Sequence, residues 1–174
     1  MTFPVRLEDN GAHALNAYDR KATRVEYKEG IFVGYRWAQK KDVKPLFAFG
    51  HGLSYTTFSY SDASVSKASV SANGTVTVSV DVTNTGNREG KEVVQLYIGD
   101  DEASVERPLM ELKGFRKIAL KPGETQKVSF TIEPDMLKFY DVNAADWALE
   151  KGTFTAYVGA ASDDIRTKVS FEVK

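Results

Sequence analysis

Val76, Val78, Val80 and Val82 alternate with Thr77, Ser79, Asp81 and Thr83, and the run ends in Asn84-Thr85-Gly86-Asn87. A period of two puts the four valines on one face of a β-strand, and the following turn residues stop it. An isolated strand with one apolar face is not stable in water, so the chain has to supply a second layer to cover it. The candidates are downstream. Glu92 to Gly99 is apolar on both sides, with Val94, Leu96 and Ile98 against Val93 and Tyr97, as expected of a central strand. Leu112 to Leu120 is closed by Pro122-Gly123, a turn dipeptide. Val128, Phe130 and Ile132 form another inward row, as do Phe154, Ala156 and Val158, and then Val169, Phe171 and Val173. With a weaker strand near Phe58 to Val65, the spacing predicts about seven short strands over Phe58–Lys174. That number and length suit an all-β, antiparallel, immunoglobulin-like sandwich. Antibody-type domains add a disulfide, but this chain has no cysteine. Trp147 and the Val and Phe residues are therefore expected to fill the core alone.

The part before Phe58 is less regular. Ala12-His13-Ala14-Leu15 is compatible with one turn of helix. Tyr18 to Arg24 and Gln39 to Lys44 are polar and charged, as solvated loops are. Val25 to Trp37 has a strand-like composition broken by Gly30 and Gly34. Pro45 to Phe58 gathers four aromatics and two leucines around Gly50 and Gly52. That stretch is too irregular for a strand, too glycine-rich for a helix and too apolar for a solvated linker. It reads as a buried connection between two structural units.

Composition closes several functional classes. The 174 residues carry a net charge of −1, which gives no field to attract nucleic acid or an anionic membrane. No run approaches the roughly 18 apolar residues of a membrane span. Met1-Thr2-Phe3-Pro4-Val5-Arg6 has neither the basic start nor the apolar stretch of a signal peptide. No cofactor motif is present, and none is expected.

Several motifs together carry a resemblance. They are Tyr27 to Arg36 (YKEGIFVGYR), Pro45 to Phe58 (PLFAFGHGLSYTTF), Gly90 to Tyr97 (GKEVVQLY) and Arg107 to Phe115 (RPLMELKGF). Leu120 to Glu124 (LKPGE) and Gly152-Thr153-Phe154 complete the set. In this order they resemble the C-terminal part of glycoside hydrolase family 3, the β-glucosidase-like exo-glycosidases, over nearly the whole chain. Ala48 stands where the pattern has Pro, and Trp37-Ala38-Gln39 where a Tyr-Asp pair is common. The resemblance implies that Met1 to about Thr57 is the exit of an α/β sandwich domain. Phe58–Lys174 would then be a fibronectin type III-like domain. It further implies a parent, periplasmic or secreted, that removes terminal β-linked sugars from non-reducing ends. The parent's nucleophile Asp and acid/base Glu would lie upstream, in segments this chain does not contain. The expected partners are the parent's catalytic barrel and α/β sandwich domains, with self-association of the exposed seam as a further expectation.

Candidate chemistry is weighed on that basis. Glu29, Asp100, Asp101, Glu102, Asp135, Asp141, Asp163 and Asp164 sit in no nucleophile or acid/base motif, and are expected as surface, turn or ion-pair residues. No catalytic residue is expected here. Asp100-Asp101-Glu102 lacks the spacing of a Ca²⁺ loop and reads as a solvated acidic loop. His51, between two glycines, has no neighbouring partner for catalysis or metal binding, and is expected to pack against backbone. Ile31, Phe32, Tyr35, Trp37, Phe47, Phe49 and Tyr55 are assigned to interdomain packing; with Tyr27, the aromatics among them would otherwise form a sugar-stacking platform. Asn73-Gly74-Thr75 matches a glycosylation acceptor and is also a natural turn. The second reading of the whole chain is an autonomous carbohydrate-binding or adhesion-type module. That reading requires an exposed aromatic row on the sandwich.

Overall fold

The computed structural model describes residues 1–17 and 25–174; the expected loop at Tyr18 to Arg24 lies outside them. Two compact units are present. One comprises Met1–Gly52 together with Ala161–Asp163, the other Leu53–Ala160 together with Asp164–Lys174.

The larger unit is the sandwich. One sheet is built on β4 (Val76–Asn84), whose one edge pairs with β1 (Phe58–Tyr60) and β2 (Ser64–Val65) and whose other edge pairs with β7 (Thr125–Ile132). The single weak strand expected from Phe58 to Val65 is thus two short ones, interrupted at 61–63. The second sheet has the order β3 (Ser69–Val70), β11 (Asp164–Val173), β10 (Gly152–Ala161), β5 (Gly90–Asp100) and β6 (Glu111–Leu120). Strands β4 and β7 run antiparallel with Val78 opposite Phe130 and Val80 opposite Val128, so both apolar rows share one face. Strand β3 pairs parallel with β11.

The four valines of β4 are each 2 % exposed or less. They join Val94, Leu96, Ile98, Phe154, Val158 and Phe171 of the facing sheet in one core. Phe154 and Phe171 stack at 5.9 Å between ring centroids. At 20–33 cal/mol per Å² of apolar surface removed from water, this continuous core is what holds the two sheets together without a disulfide. Central strand β5 is buried on both sides, as its composition implied: Gln95 and Tyr97 occupy the face away from the core. They are satisfied there by Gln95 Nε2 donating to Ala160 O and Tyr97 Oη donating to Gln95 Oε1, both at 2.5 Å.

Trp147 is a correction. It is 61 % exposed and lies on β9 (Asp146–Ala148), which pairs with β8 (Phe139–Asp141) in a hairpin that joins neither sheet. The valine and phenylalanine rows fill the core without it.

The smaller unit is irregular. A 3₁₀ turn at Leu7–Asp9 leads into α1 (Gly11–Ala14), where Asn10 caps the helix by accepting from Ala12 N and His13 N. Phe3 and Phe47 form an isolated antiparallel bridge. The strand-like segment Val25 to Trp37 is not a strand. Gly30 and Gly34 both take positive φ, which ends any extended run, and Gly34 begins the helix α2 (Tyr35–Lys40). Gln39 and Lys40, expected in a loop, are the end of that helix.

Candidate functional site

The seven residues assigned to interdomain packing separate by environment. Trp37 and Phe32 are each only 7 % exposed, and are among the buried side chains of their own unit. The Trp37 indole lies flat on Gly11, where an added Cβ would come within 2.8 Å of the ring, and its Nε1–H donates to Asp9 O at 3.1 Å. Lys40 Nζ sits 3.6 Å from the Phe32 ring centroid, a close cation–π contact. Tyr35 and Phe49 are half-buried and lean together at 5.6 Å. Ile31, Phe47 and Tyr55 are 51 %, 45 % and 92 % exposed.

Other apolar groups of the smaller unit are also in solvent. Phe3, Val33 and Leu46 are each half exposed or more, and Phe3 meets Phe47 edge to face at 6.4 Å. Tyr27 is exposed as well. The clustering of large aromatics made this segment conspicuous in the sequence. The burial of Trp37 comes with α2, whose helical period no composition argument had indicated. His51 is exposed beside the Phe47 ring, at 5.1 Å, and is not packed into the interior as expected.

The carboxylates are mostly structural. Asp164 pairs with Arg166 at 2.5 Å, and Asp101 accepts the Thr155 hydroxyl at 2.7 Å. Glu150 accepts from the backbone and hydroxyl of Ser104. Asp100 was expected in a solvated acidic loop; instead its side chain is 2 % exposed and meets Arg107 Nη1 at 2.9 Å. Arg107 also donates to Leu137 O and approaches Glu111, which in turn pairs with Lys113. The signal missed was Arg107 preceding Glu111 by four residues within an otherwise apolar motif. No group of three His, Cys, Asp or Glu among the described residues is arranged to hold a metal ion.

Glu92 and Tyr60 form a half-buried polar pair, with Tyr60 Oη donating to Glu92 Oε1 at 2.8 Å. Burial raises the Glu92 carboxyl above its ordinary range, although the Tyr60 bond and Arg166 act in the opposite direction. Burial and the Glu92 charge push the Tyr60 phenol upward too.

A four-stranded sheet packed on a five-stranded one around a continuous apolar core defines a β-sandwich domain. Residues 92–162 match the fibronectin type III-like domain. Beta-glucosidase BoGH3A of Bacteroides ovatus is 51 % identical over 173 residues, covering 98 % of this chain and 23 % of the relative. Thermostable beta-glucosidase B of Acetivibrio thermocellus is 50 % identical over 172 residues, covering 99 % and 22 %. Among solved structures, the family 3 β-glucosidase of Bifidobacterium adolescentis superposes with a TM-score of 0.91 at 35 % identity, over 99 % of this chain and 25 % of that one. The β-glucosidase of Kluyveromyces marxianus superposes at 0.89 and 39 % identity, over 100 % and 21 %. This chain belongs to glycoside hydrolase family 3, as the C-terminal, fibronectin type III-like region of its β-glucosidases. It spans less than a quarter of the length of the curated relatives named above.

Proposed function

We propose that this region braces the catalytic domains of a β-glucosidase-like parent and contributes no catalytic residue to it. The parent would cleave terminal β-linked sugars by the two-carboxylate retaining mechanism, in which carboxyl groups about 5–5.5 Å apart flank the bond. The boundary between the two functional parts would fall near Thr57. The smaller unit would dock on the parent's α/β sandwich domain through Phe3, Ile31, Val33, Leu46 and Phe47. The observation that carries this reading is that these five side chains are 45–58 % exposed in one small unit. Soluble monomers rarely leave so many large apolar groups together in water. Tyr35, Phe49 and Tyr55 would add to the seam, while Phe32 and Trp37 would hold the unit in shape beneath it.

The test has two parts. The chain alone, freed of host glucosidases, should release no nitrophenol from aryl β-glucosides. In the full-length parent, Ile31→Asp with Phe47→Asp should lower the thermal midpoint and the activity together. Turnover by the chain alone that disappears on mutating one of its carboxylates would overturn the non-catalytic assignment. An unchanged midpoint in the double variant would overturn the docking role. If the seam is orphaned in the isolated chain, light scattering should detect association that a chain starting near Thr57 lacks.

A further inference from the structure

The connection between β7 and β10 carries a feature that bracing does not use. In the β8–β9 hairpin, Phe139 pairs with Ala148, Tyr140 with Trp147 and Asp141 with Asp146. Alternation turns Phe139 and Ala148 to the half-buried side, where Arg107 lies 5.6 Å from the Phe139 ring centroid. Tyr140 and Trp147 face the other way and are 51 % and 61 % exposed. Their rings meet edge to face at 5.8 Å and 79°, so each restricts the other's rotation. The turn beneath them is pinned: Asp141 Oδ1 accepts from Asn143 N and Ala144 N, and Asp146 Oδ1 accepts from Trp147 N. Beside the indole is an open hollow lined by Asp135, Lys138, Asp146 and Trp147. Lys138 Nζ and Asp135 Oδ1 pair across it at 2.7 Å.

We propose that this hollow is a pyranose-binding site, in which one hexose ring of a β-linked glucan lies on the Trp147 indole. The choice of glucan rests on the β-glucosidase reading above. The chemistry of the hollow favours a sugar independently of that reading. An indole face carries negative quadrupole charge and suits the weakly positive C–H face of a pyranose. The same ring is edged with hydroxyls, which both donate and accept. Asp135 and Asp146 offer acceptors and Lys138 offers donors at the rim of the indole, so hydroxyls can replace the water bound there. An apolar protein surface placed on the same spot would strip water from three charged groups without replacing those bonds. The pinned turn and the Tyr140 contact hold the indole in place before binding, which lowers the ordering cost.

The experiment uses the isolated full chain. It has two tryptophans, so an indole N–H spectrum contains one signal from Trp147 and one from buried Trp37 as an internal reference. Cellotetraose and laminaritetraose are the probes. Saturable movement of the Trp147 signal, with Kd on the order of 1 mM and the Trp37 signal still, is the expected result. A chain carrying Trp147→Ala, verified as folded by a cooperative denaturation transition of the sandwich, should lose retardation in gels containing soluble β-glucan. A Trp147 signal unmoved by both sugars at about ten times that concentration overturns the site, as does full retardation of the folded variant. The titration reads this chain alone, so its failure leaves the bracing role standing. Failure of the nitrophenol and docking tests leaves the titration result untouched.

Discussion

Arg107 donates to Asp100 at 2.9 Å with side chains only 9 % and 2 % exposed, and it ties the irregular stretch before β6 to the end of β5. Replacing Arg107 with Met should leave a carboxylate buried without its partner, at a cost of about 3–5 kcal/mol. The denaturation midpoint in urea reads the loss. Changing Asp100 to Leu in the same chain should recover much of it, because the uncompensated charge is then gone. A single Arg107 variant as stable as the parent chain would refute the pairing.

Asn84 is wholly buried, and every hydrogen-bonding position of its amide is used. Its Nδ2 donates to Arg88 O and Leu120 O, while its Oδ1 accepts from Thr56 Oγ1 and Gly86 N. Asn84→Asp keeps the shape and replaces two donated protons with lone pairs facing two carbonyls. The expected loss is at least about 2–3 kcal/mol at neutral pH, measured by denaturant unfolding, with partial recovery in acid as the carboxyl protonates.

Glu92 gives a pH signature of the same sign in the unaltered chain. Its carboxyl is raised in the fold, chiefly by burial, so the folded state holds a proton that the unfolded state releases. Stability from this group is therefore greatest below the ordinary glutamate range and falls as pH rises through the raised value. Glu92→Gln keeps an oxygen for the Tyr60 hydroxyl and removes the charge. It should stabilise the chain at neutral pH, and the difference should shrink on acidification below the ordinary glutamate range. Thermal midpoints measured across that interval decide it; a gap that widens in acid would contradict the sign.

Gly123 takes φ +75° in the Lys121–Glu124 turn, closed by Glu124 N donating to Lys121 O at 3.0 Å. A Cβ there would meet nothing within 4 Å, so Gly123→Ala tests backbone conformation alone. The expected cost is about 1–2 kcal/mol. Ala145, at φ +54°, presents the reverse case, and Ala145→Gly should stabilise by up to about 1 kcal/mol. Midpoints that move in the same direction for both variants would count against this account.

Phe130 is 7 % exposed in the core row of β7, opposite Val78. Phe130→Ala should cost about 3–5 kcal/mol. A denaturation midpoint equal to that of the unaltered chain would mean that the register of β4 against β7 is wrong.

Much of the sandwich was written in the chain itself. Period-two rows in β4, β7, β10 and β11 show which face is apolar, and a strand's alternation leaves only one face to bury. The family motifs likewise follow one another in linear order, so membership could be read without coordinates. The sequence could not say which residues meet across long separations. Asp100 looks like one of three solvated acids until Arg107 folds back over it, seven positions later. Trp147 looks like core because indoles usually are; only the β8–β9 hairpin, set apart from both sheets, puts it in solvent. Trp37 and Phe47 are both aromatics of the irregular first part of the chain. The helix begun at Gly34 buries Trp37 on Gly11, whereas Phe47 bridges Phe3 and stays exposed. Local pattern determines the face of a strand because its geometry repeats every two residues. Burial of a particular side chain is decided by distant segments, and only the tertiary fold brings those together.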